Sequence, residues 1–422
     1  MQRLAVELTQ STWYSRGWTF QEYLFSPRRL VFHANTVNWD CHCASWHENQ
    51  MHISSQPCFS REKNDIFGMD TNSWPNMYRL IRLICLFNRR FLTCPEDVLN
   101  AFEGPLQSFR ATFQHGFVAG LPRIFFDAAL LWQPYSPLTR RQHAEIASNP
   151  ESALPSWSWI GWQGNLHSES WLACFDYTLG LNGWSGAIIP SSTISTVKWS
   201  WSMSAKGSKN PIIVSANEYR SRYSSFEQQP LPDGWSVKGN SEKIFLFHCP
   251  QDHQPFGYRF MDQYQPFKYP IPTMIGSQQL APSSRAGFLH GRTRHATFKI
   301  EGLMSYRPLV RHGCITATLA HDGSHLAGYL RLNEDADNAE TKVGDICELI
   351  ELSSGRSEDN KFRQHIHKLD WEGGASFLNM RTFINVMWVN WKHGVAYRKA
   401  IGRVEEDIWR QAAPVEIDII LG

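Results

Sequence analysis

The chain has 422 residues, enough for two or three domains, and its 42% hydrophobic and 19% charged content excludes disorder along its whole length. A net charge of +2 is too near balance to call for a nucleic-acid or membrane partner. The 18 tryptophans predict large, aromatic-rich packing without naming a ligand, because an indole fills cores and the rims of binding surfaces alike.

In chain order, Met1 to Thr12 is polar and mixed and lacks the apolar core of a signal peptide. Ser15 is placed to cap a helix from Arg16 to Phe25, which Ser26-Pro27 ends. Leu30 to His33 and Val37 to Cys41 alternate as short strands joined by Ala34-Asn35-Thr36, with Val37, Trp39 and Cys41 on one face and Asn38 and Asp40 on the other. Residues 74–147 read as helical. Met77, Leu80, Ile81, Ile84 and Phe87 form one stripe, and a second helix after Thr93-Cys94-Pro95 carries Val98, Phe102, Leu106 and Phe109, kinked or broken at Gly104-Pro105. Pro122 to Trp132 forms a further short apolar helix. The most apolar helical run, Leu80 to Phe87, is interrupted by Arg82 and falls far short of the roughly 20 residues that cross a bilayer. A soluble, cytoplasmic protein is expected.

From about residue 155 the texture is that of strands. Ser156-Trp157-Ser158-Trp159 alternates, as do stretches around Ile212–Ala216, Lys243–His248, Ala296–Ile300, Cys314–Leu319 and Ile346–Leu352. Leu231-Pro232-Asp233-Gly234 and His321-Asp322-Gly323 have turn chemistry. Phe383 to Trp391 is a long strand leading through Lys392-His393-Gly394 into Val395–Arg398, and Val404 to Gln411 reads as a closing helix. Residues 217–242 and 276–295 read as loops. The basic pairs Arg28-Arg29, Arg89-Arg90 and Arg140-Arg141 form no stripe and read as solvated surface arginines, and nine scattered cysteines fit reduced, buried thiols.

Arg16-Gly17-Trp18-Thr19-Phe20-Gln21-Glu22 resembles the string that closes the fungal heterokaryon-incompatibility (HET) domain, and Ser26–Phe32 with Trp39-Asp40-Cys41 continues the pattern. Arg89–Thr93, Asp97–Gly104, Gly120-Leu121-Pro122, Phe126–Trp132 and Pro155–Trp162 resemble the region downstream of such a domain, as do Gly394–Arg398, Gly402-Arg403-Val404 and Trp409. The resemblance implies an α+β fold in three parts. Residues 1–60 would be the helix and hairpin that end a partial, TIR-like α/β HET domain. Residues 61–150 would be a helical segment, and residues 151–422 a β-rich antiparallel sheet or sandwich closed by a C-terminal helix. It further implies allorecognition and programmed cell death signalling, with other incompatibility or receptor proteins as partners. The Tyr/Ser/Trp-Gly opening block and the Asp-x-x-Cys-Ile middle block have no counterpart here, so the expectation is an N-terminally truncated, non-catalytic member with no cofactor.

Likeness of HET domains to TIR domains, some of which cleave NAD with a glutamate, singles out Glu22. On a helix Trp18 and Glu22 are i and i+4, and a carboxylate against an indole suits general acid or base work. An NAD-cleaving hydrolase is therefore the alternative function. In the competing reading Glu22 pairs with Arg16, Arg28 or Arg29 and Trp18 is core; a third alternative is a stand-alone β-rich protein-binding module. Cys41, His42, Cys43, His47 and His52 match no paired metal-ligand spacing, since residues at i and i+5 point about 140° apart on a helix. No metal is expected. Gly183-Trp184-Ser185-Gly186 is one residue short of a nucleophile elbow, and no phosphate-binding glycine loop is present in the sequence. Trp157, Trp159, Trp199 and Trp201 resemble a stacking platform but are better read as packing. Leu30–Phe32 and Val37–Trp39 should carry unpaired edges, an aggregation liability.

Overall fold

The computed structural model describes residues 11–33, 36–41, 45–48, 74–141, 154–175, 177, 192–224, 230–239, 245–248, 266–272, 287–305, 314–321, 326–335, 340–358 and 380–422. It has an α+β fold. No helix among the described residues is long and apolar enough to cross a membrane.

The expected helix over Arg16–Phe25 is divided. Ser11, not Ser15, accepts from the Tyr14 backbone and caps α1 (Thr12–Ser15), and α2 begins only at Thr19 and ends at Phe25. Between them the chain extends at Arg16, where Phe91 N donates to Ser15 O and Gly17 N donates to Phe91 O, both at 2.7 Å. These strand-like bonds to a distant segment replace the helical ones. Strands β1 (Arg28–His33), β2 (Thr36–Cys41) and β3 (Ser45–His47) form an antiparallel meander in which Leu30 pairs with Trp39 and Phe32 with Val37. Asn38 faces inward, whereas Leu30 and Phe32 face solvent.

In the helical segment, Asn76 caps α3 (Met77–Asn88), whose expected stripe is buried. Two tight turns over Pro95–Val98 and Asn100–Phe102 lead into α4 (Glu103–Phe109). The break therefore lies before Glu103; Pro105 falls in the first helical turn, where its missing N–H has no partner to lose. A tight turn at Arg123–Phe125 precedes α5 (Phe126–Ala129). Ser156–Trp159 is not a strand: it is a turn running into a 3-10 helix at Trp159–Gly161. Its serines and indoles all point into packed interior. Ser158 Oγ donates to Ala119 O at 2.7 Å, Trp159 Nε1 to Gly120 O at 3.2 Å, and Trp132 Nε1 to Trp157 O at 2.9 Å.

Two further expectations yield in the third zone. Residues 212–216 make no strand; instead β4 (Ser192–Ser195) and β5 (Ser200–Ser202) precede helix α6 (Ser215–Ser224), which occupies part of the expected 217–242 loop. Residues 288–295, also expected as loop, begin the 18-residue strand β6 (Phe288–Ser305). Beyond it lie β7 (Cys314–Ala320), β8 (Gly328–Asp335), β9 (Ile346–Glu358), β10 (Met380–Lys392), β11 (Val395–Glu405), α7 (Glu406–Gln411) and β12 (Val415–Leu421).

These strands do more than form a sheet. Antiparallel ladders join β6 to β7, β7 to β8, β8 to β11, β11 to β10, β10 to β9, and β9 back to β6. The result is a closed barrel, which removes exposed edges. Bulges in the β6–β7, β7–β8, β10–β9 and β11–β10 ladders supply the bending that closure needs. Gly402 is required where β8 crosses β11, because a Cβ there would overlap the Tyr329 carbonyl. Alternate residues, among them Phe298, Ile315, Leu330, Leu349, Val386 and Ala400, fill the interior, and Trp409 of α7 joins them. The opposite faces carry Leu289, Ile350, Met387, Val389 and Ile401 into a second core that continues through Trp157 and Phe102 to Phe20. One apolar cluster thus spans all three expected parts.

Candidate functional site

The heptapeptide Arg16–Glu22 divides into a buried half and an exposed half. Gly17 lies against Leu92 and Phe91 so closely that a Cβ would overlap Leu92 Cδ2. Thr19 is buried with its Oγ1 2.6 Å from Trp13 O and 2.8 Å from Arg16 O. Phe20 packs between Phe87 at 5.5 Å and Phe102 at 5.9 Å, and Gln21 Nε2 donates to Asn100 O at 2.9 Å. Four of the seven residues therefore fasten α2 to the helical segment. Arg16, Trp18 and Glu22 remain exposed, the indole by 45%.

Trp18 is therefore not core, and Glu22 forms no ion pair among the described residues, with Arg16, Arg28, Arg29 or any other cation. The helix places both on one side, as i and i+4 require, but each is open to water. General acid or base work draws on a desolvated carboxyl, and this one is not desolvated. The exposed indole thus lies between an exposed guanidinium at Arg16 and an exposed carboxylate at Glu22.

The joint is completed by a residue whose sequence neighbourhood had placed it on the surface. Arg90 is 2% exposed; its Nη1 donates to Thr19 Oγ1 at 3.1 Å and to Arg16 O at 3.3 Å. Its guanidinium lies 4.1 Å from the Tyr14 ring centre and 4.9 Å from that of Phe20. Burial lowers its pKa, opposed by the neighbouring Tyr14. Tyr14 meets Tyr23 at 5.8 Å, and Arg29 stacks 3.9 Å over Tyr23. Arg140 and Arg141 are likewise tied into the interior, bonded to backbone carbonyls. The sequence around each pair carries no signal of this burial, because the rings that Arg90 and Arg140 stack on without needing an acid, Tyr14 and Phe20 for the first and Trp162 for the second, lie elsewhere along the chain.

Among the described residues, no group of three or more His, Cys, Asp or Glu side chains could hold a metal. His42, Cys43 and His52 lie outside the described residues, as do the side chains of Cys41 and His47 and the stretch Gly183–Gly186. Trp157, Trp159 and Trp199 are buried, so they are packing rather than a stacking platform. Ser202 Oγ lies 2.7 Å from His290 Nε2, the spacing of a nucleophile and its base. The same hydroxyl is 2.6 Å from Ser204 O, which can only accept. Ser202 thus gives its single proton to the carbonyl and accepts from His290, the reverse of nucleophile activation. Burial, with Lys209 nearby, lowers the His290 pKa and favours the neutral ring.

Asp127, fully buried at the start of α5, joins three elements. Its Oδ1 accepts from Ala128 N at 2.8 Å, and its Oδ2 accepts from Ser195 Oγ at 2.9 Å and Asn217 Nδ2 at 3.2 Å. Burial raises its pKa while those donors and Arg220 oppose the rise. No family model, no curated protein and no solved structure matches the chain.

Proposed function

We propose that the chain is a cytoplasmic member of the fungal heterokaryon-incompatibility family, acting in non-self recognition and cell-death signalling through protein partners and without catalysis of its own. The observation that carries the reading is that the residues behind the resemblance are one another's neighbours. Gly17 meets Leu92, Thr19 meets Arg90, Phe20 meets Phe102, Gly120 meets Trp159, Trp132 meets Trp157, and Ser156 Oγ meets the Arg398 backbone. A series of chance matches would not be expected to pack together. The same series leaves Arg16, Trp18 and Glu22 in solvent, a set suited to a protein partner.

Expression in a filamentous fungus tests the reading. The chain alone should not kill; joined to the opening and middle HET blocks it should, and Trp18→Ala should abolish that killing. Death from the chain alone would overturn the non-catalytic reading. Nicotinamide release from NAD that disappears in Glu22→Gln would replace it with the TIR-like hydrolase.

A further inference from the structure

The alternation of the meander β1–β2–β3 is inverted. An antiparallel sheet with one face on the core ordinarily turns apolar residues inward and polar ones to water. Here the inner face carries Asn38, which is buried, and Arg29, whose Nη1 donates to Tyr23 O of α2 at 2.9 Å. The outer face carries Leu30, Phe32, Val37, Trp39 and Trp46. Cross-strand pairing makes these one continuous surface. Leu30 stands opposite Trp39 and Trp39 opposite Trp46, with Phe32 opposite Val37 beside them.

Leu30 is 61% exposed, Phe32 75% and Trp46 37%. At about 200 Å² for a large side chain, these three alone leave roughly 350 Å² of apolar surface in water. Homodimer interfaces are about 65% apolar, so a core of that size implies roughly 1,100 Å² buried between two copies, above the roughly 1,000 Å² that a specific interface needs. Val37 and Trp39, both half-buried, add to it.

Charge completes the fit. Arg28, two residues before Leu30 and opposite Cys41, stands exposed at one corner of the face. Glu48, two residues after Trp46, stands exposed at the diagonally opposite corner. There Glu48 N donates to Val37 O at 3.1 Å and the Glu48 carboxylate accepts from Val37 N at 2.8 Å. Trp39 lies at the centre between the two corners. A two-fold axis lying in the interface across Trp39 sets each copy's Arg28 against the other copy's Glu48, the self-complementarity that an isologous contact requires. We propose that two copies of the chain join through the outer face of this meander, as a closed two-fold dimer with Leu30, Phe32, Trp39 and Trp46 in its apolar core.

Sedimentation velocity of the full chain across micromolar concentrations tests this. The expected result is a reversible monomer–dimer equilibrium that stops at the dimer. Phe32→Lys, at an exposed position, should weaken dimerisation by about tenfold or more. Arg28→Glu should weaken it roughly fivefold, because each dimer holds two such pairs, and combining Arg28→Glu with Glu48→Arg should restore it. A chain monomeric at every concentration overturns the proposal in favour of a different protein as occupant. Open-ended association without a dimer plateau overturns it too, as does dimerisation unchanged in Phe32→Lys. Should that variant fail to fold, the charge exchange decides: dimerisation lost in Arg28→Glu and restored in the double variant supports the two-fold, and no loss, or a loss the exchange does not restore, overturns it.

Discussion

The indole of Trp409 donates its Nε1–H to Glu351 Oε2 at 3.0 Å, and through this bond the C-terminal helix is fastened into the mouth of the barrel. Glu351 is 1% exposed and also takes Arg294 at 2.7 Å, while the Trp409 ring stacks parallel on Phe298 at 5.8 Å. The apolar stack supplies the attraction and the carboxylate fixes the position. Trp409→Phe keeps most of the stack and deletes the donor, leaving part of a buried carboxylate unsatisfied. A loss of about 1–3 kcal/mol is expected, read as a lower urea midpoint at unchanged m-value. An unchanged midpoint would mean that Arg294 alone satisfies Glu351.

At the other end of the fold, Gly17→Ala should loosen the heptapeptide joint. The new methyl group would overlap Leu92 Cδ2 and stand 3.2 Å from Phe91 O, so either the Leu92 side chain or the bridge between residues 16 and 91 must give way. Overpacking of this kind costs about 1–3 kcal/mol. The distinguishing readout is limited proteolysis: cleavage within 11–33 should accelerate while the barrel strands stay protected.

How far this fold could be read in the sequence depends on whether the signal was local. The α3 stripe from Met77 to Phe87 and the strands around Phe298, Ile315, Leu349 and Val386 were legible, because each has one interior face and a clear period. Closure of the barrel was not, since it rests on pairing Ala296 with Leu349, residues whose contact leaves no local trace. The Ser-Trp alternation at 156–159 misled because both residue types point into the interior there, the serines to bond carbonyls and the indoles to pack. In the heptapeptide, the string itself was legible and its division was not: which of its residues face inward is decided by Phe91 and Arg90, more than seventy residues away.

Asp127 should set a pH dependence of stability. Its folded pKa lies above the 3.8 of an ordinary aspartate, so between those two values the folded state holds more proton than the unfolded one. Stability from this group is therefore complete below the unfolded pKa and lost as pH rises through the folded pKa. Each pH unit separating the two is worth about 1.4 kcal/mol. Asp127→Asn removes the titration. The difference between wild type and variant should shift against the wild type as pH climbs above 3.8, and parallel curves would show that the surrounding donors have cancelled the burial.

Leu30 and Phe32 give the first sheet an apolar outer face, Phe32 being 75% exposed. With β1 at one edge of the meander, such a face invites intermolecular pairing. Phe32→Lys should leave stability within about 0.5 kcal/mol and reduce light scattering on storage. Unaltered scattering would place the liability elsewhere in the chain.

Trp18 and Glu22 offer the sharpest separation of function from folding. Both side chains lie in solvent, and neither forms a hydrogen bond or an ion pair among the described residues. Trp18→Ala and Glu22→Gln should therefore change unfolding free energy by no more than about 0.5 kcal/mol. At a protein interface the two would differ: loss of an indole anchor commonly costs about 2 kcal/mol, or roughly thirtyfold in affinity, whereas a peripheral carboxylate costs little. A catalytic glutamate reverses that order, because Glu22→Gln would then remove turnover while Trp18→Ala mainly weakened binding. Measuring killing by the HET-joined chain together with nicotinamide release, for both variants at matched stability, reads the order directly. Killing lost in Trp18→Ala and kept in Glu22→Gln is the pattern that protein recognition requires.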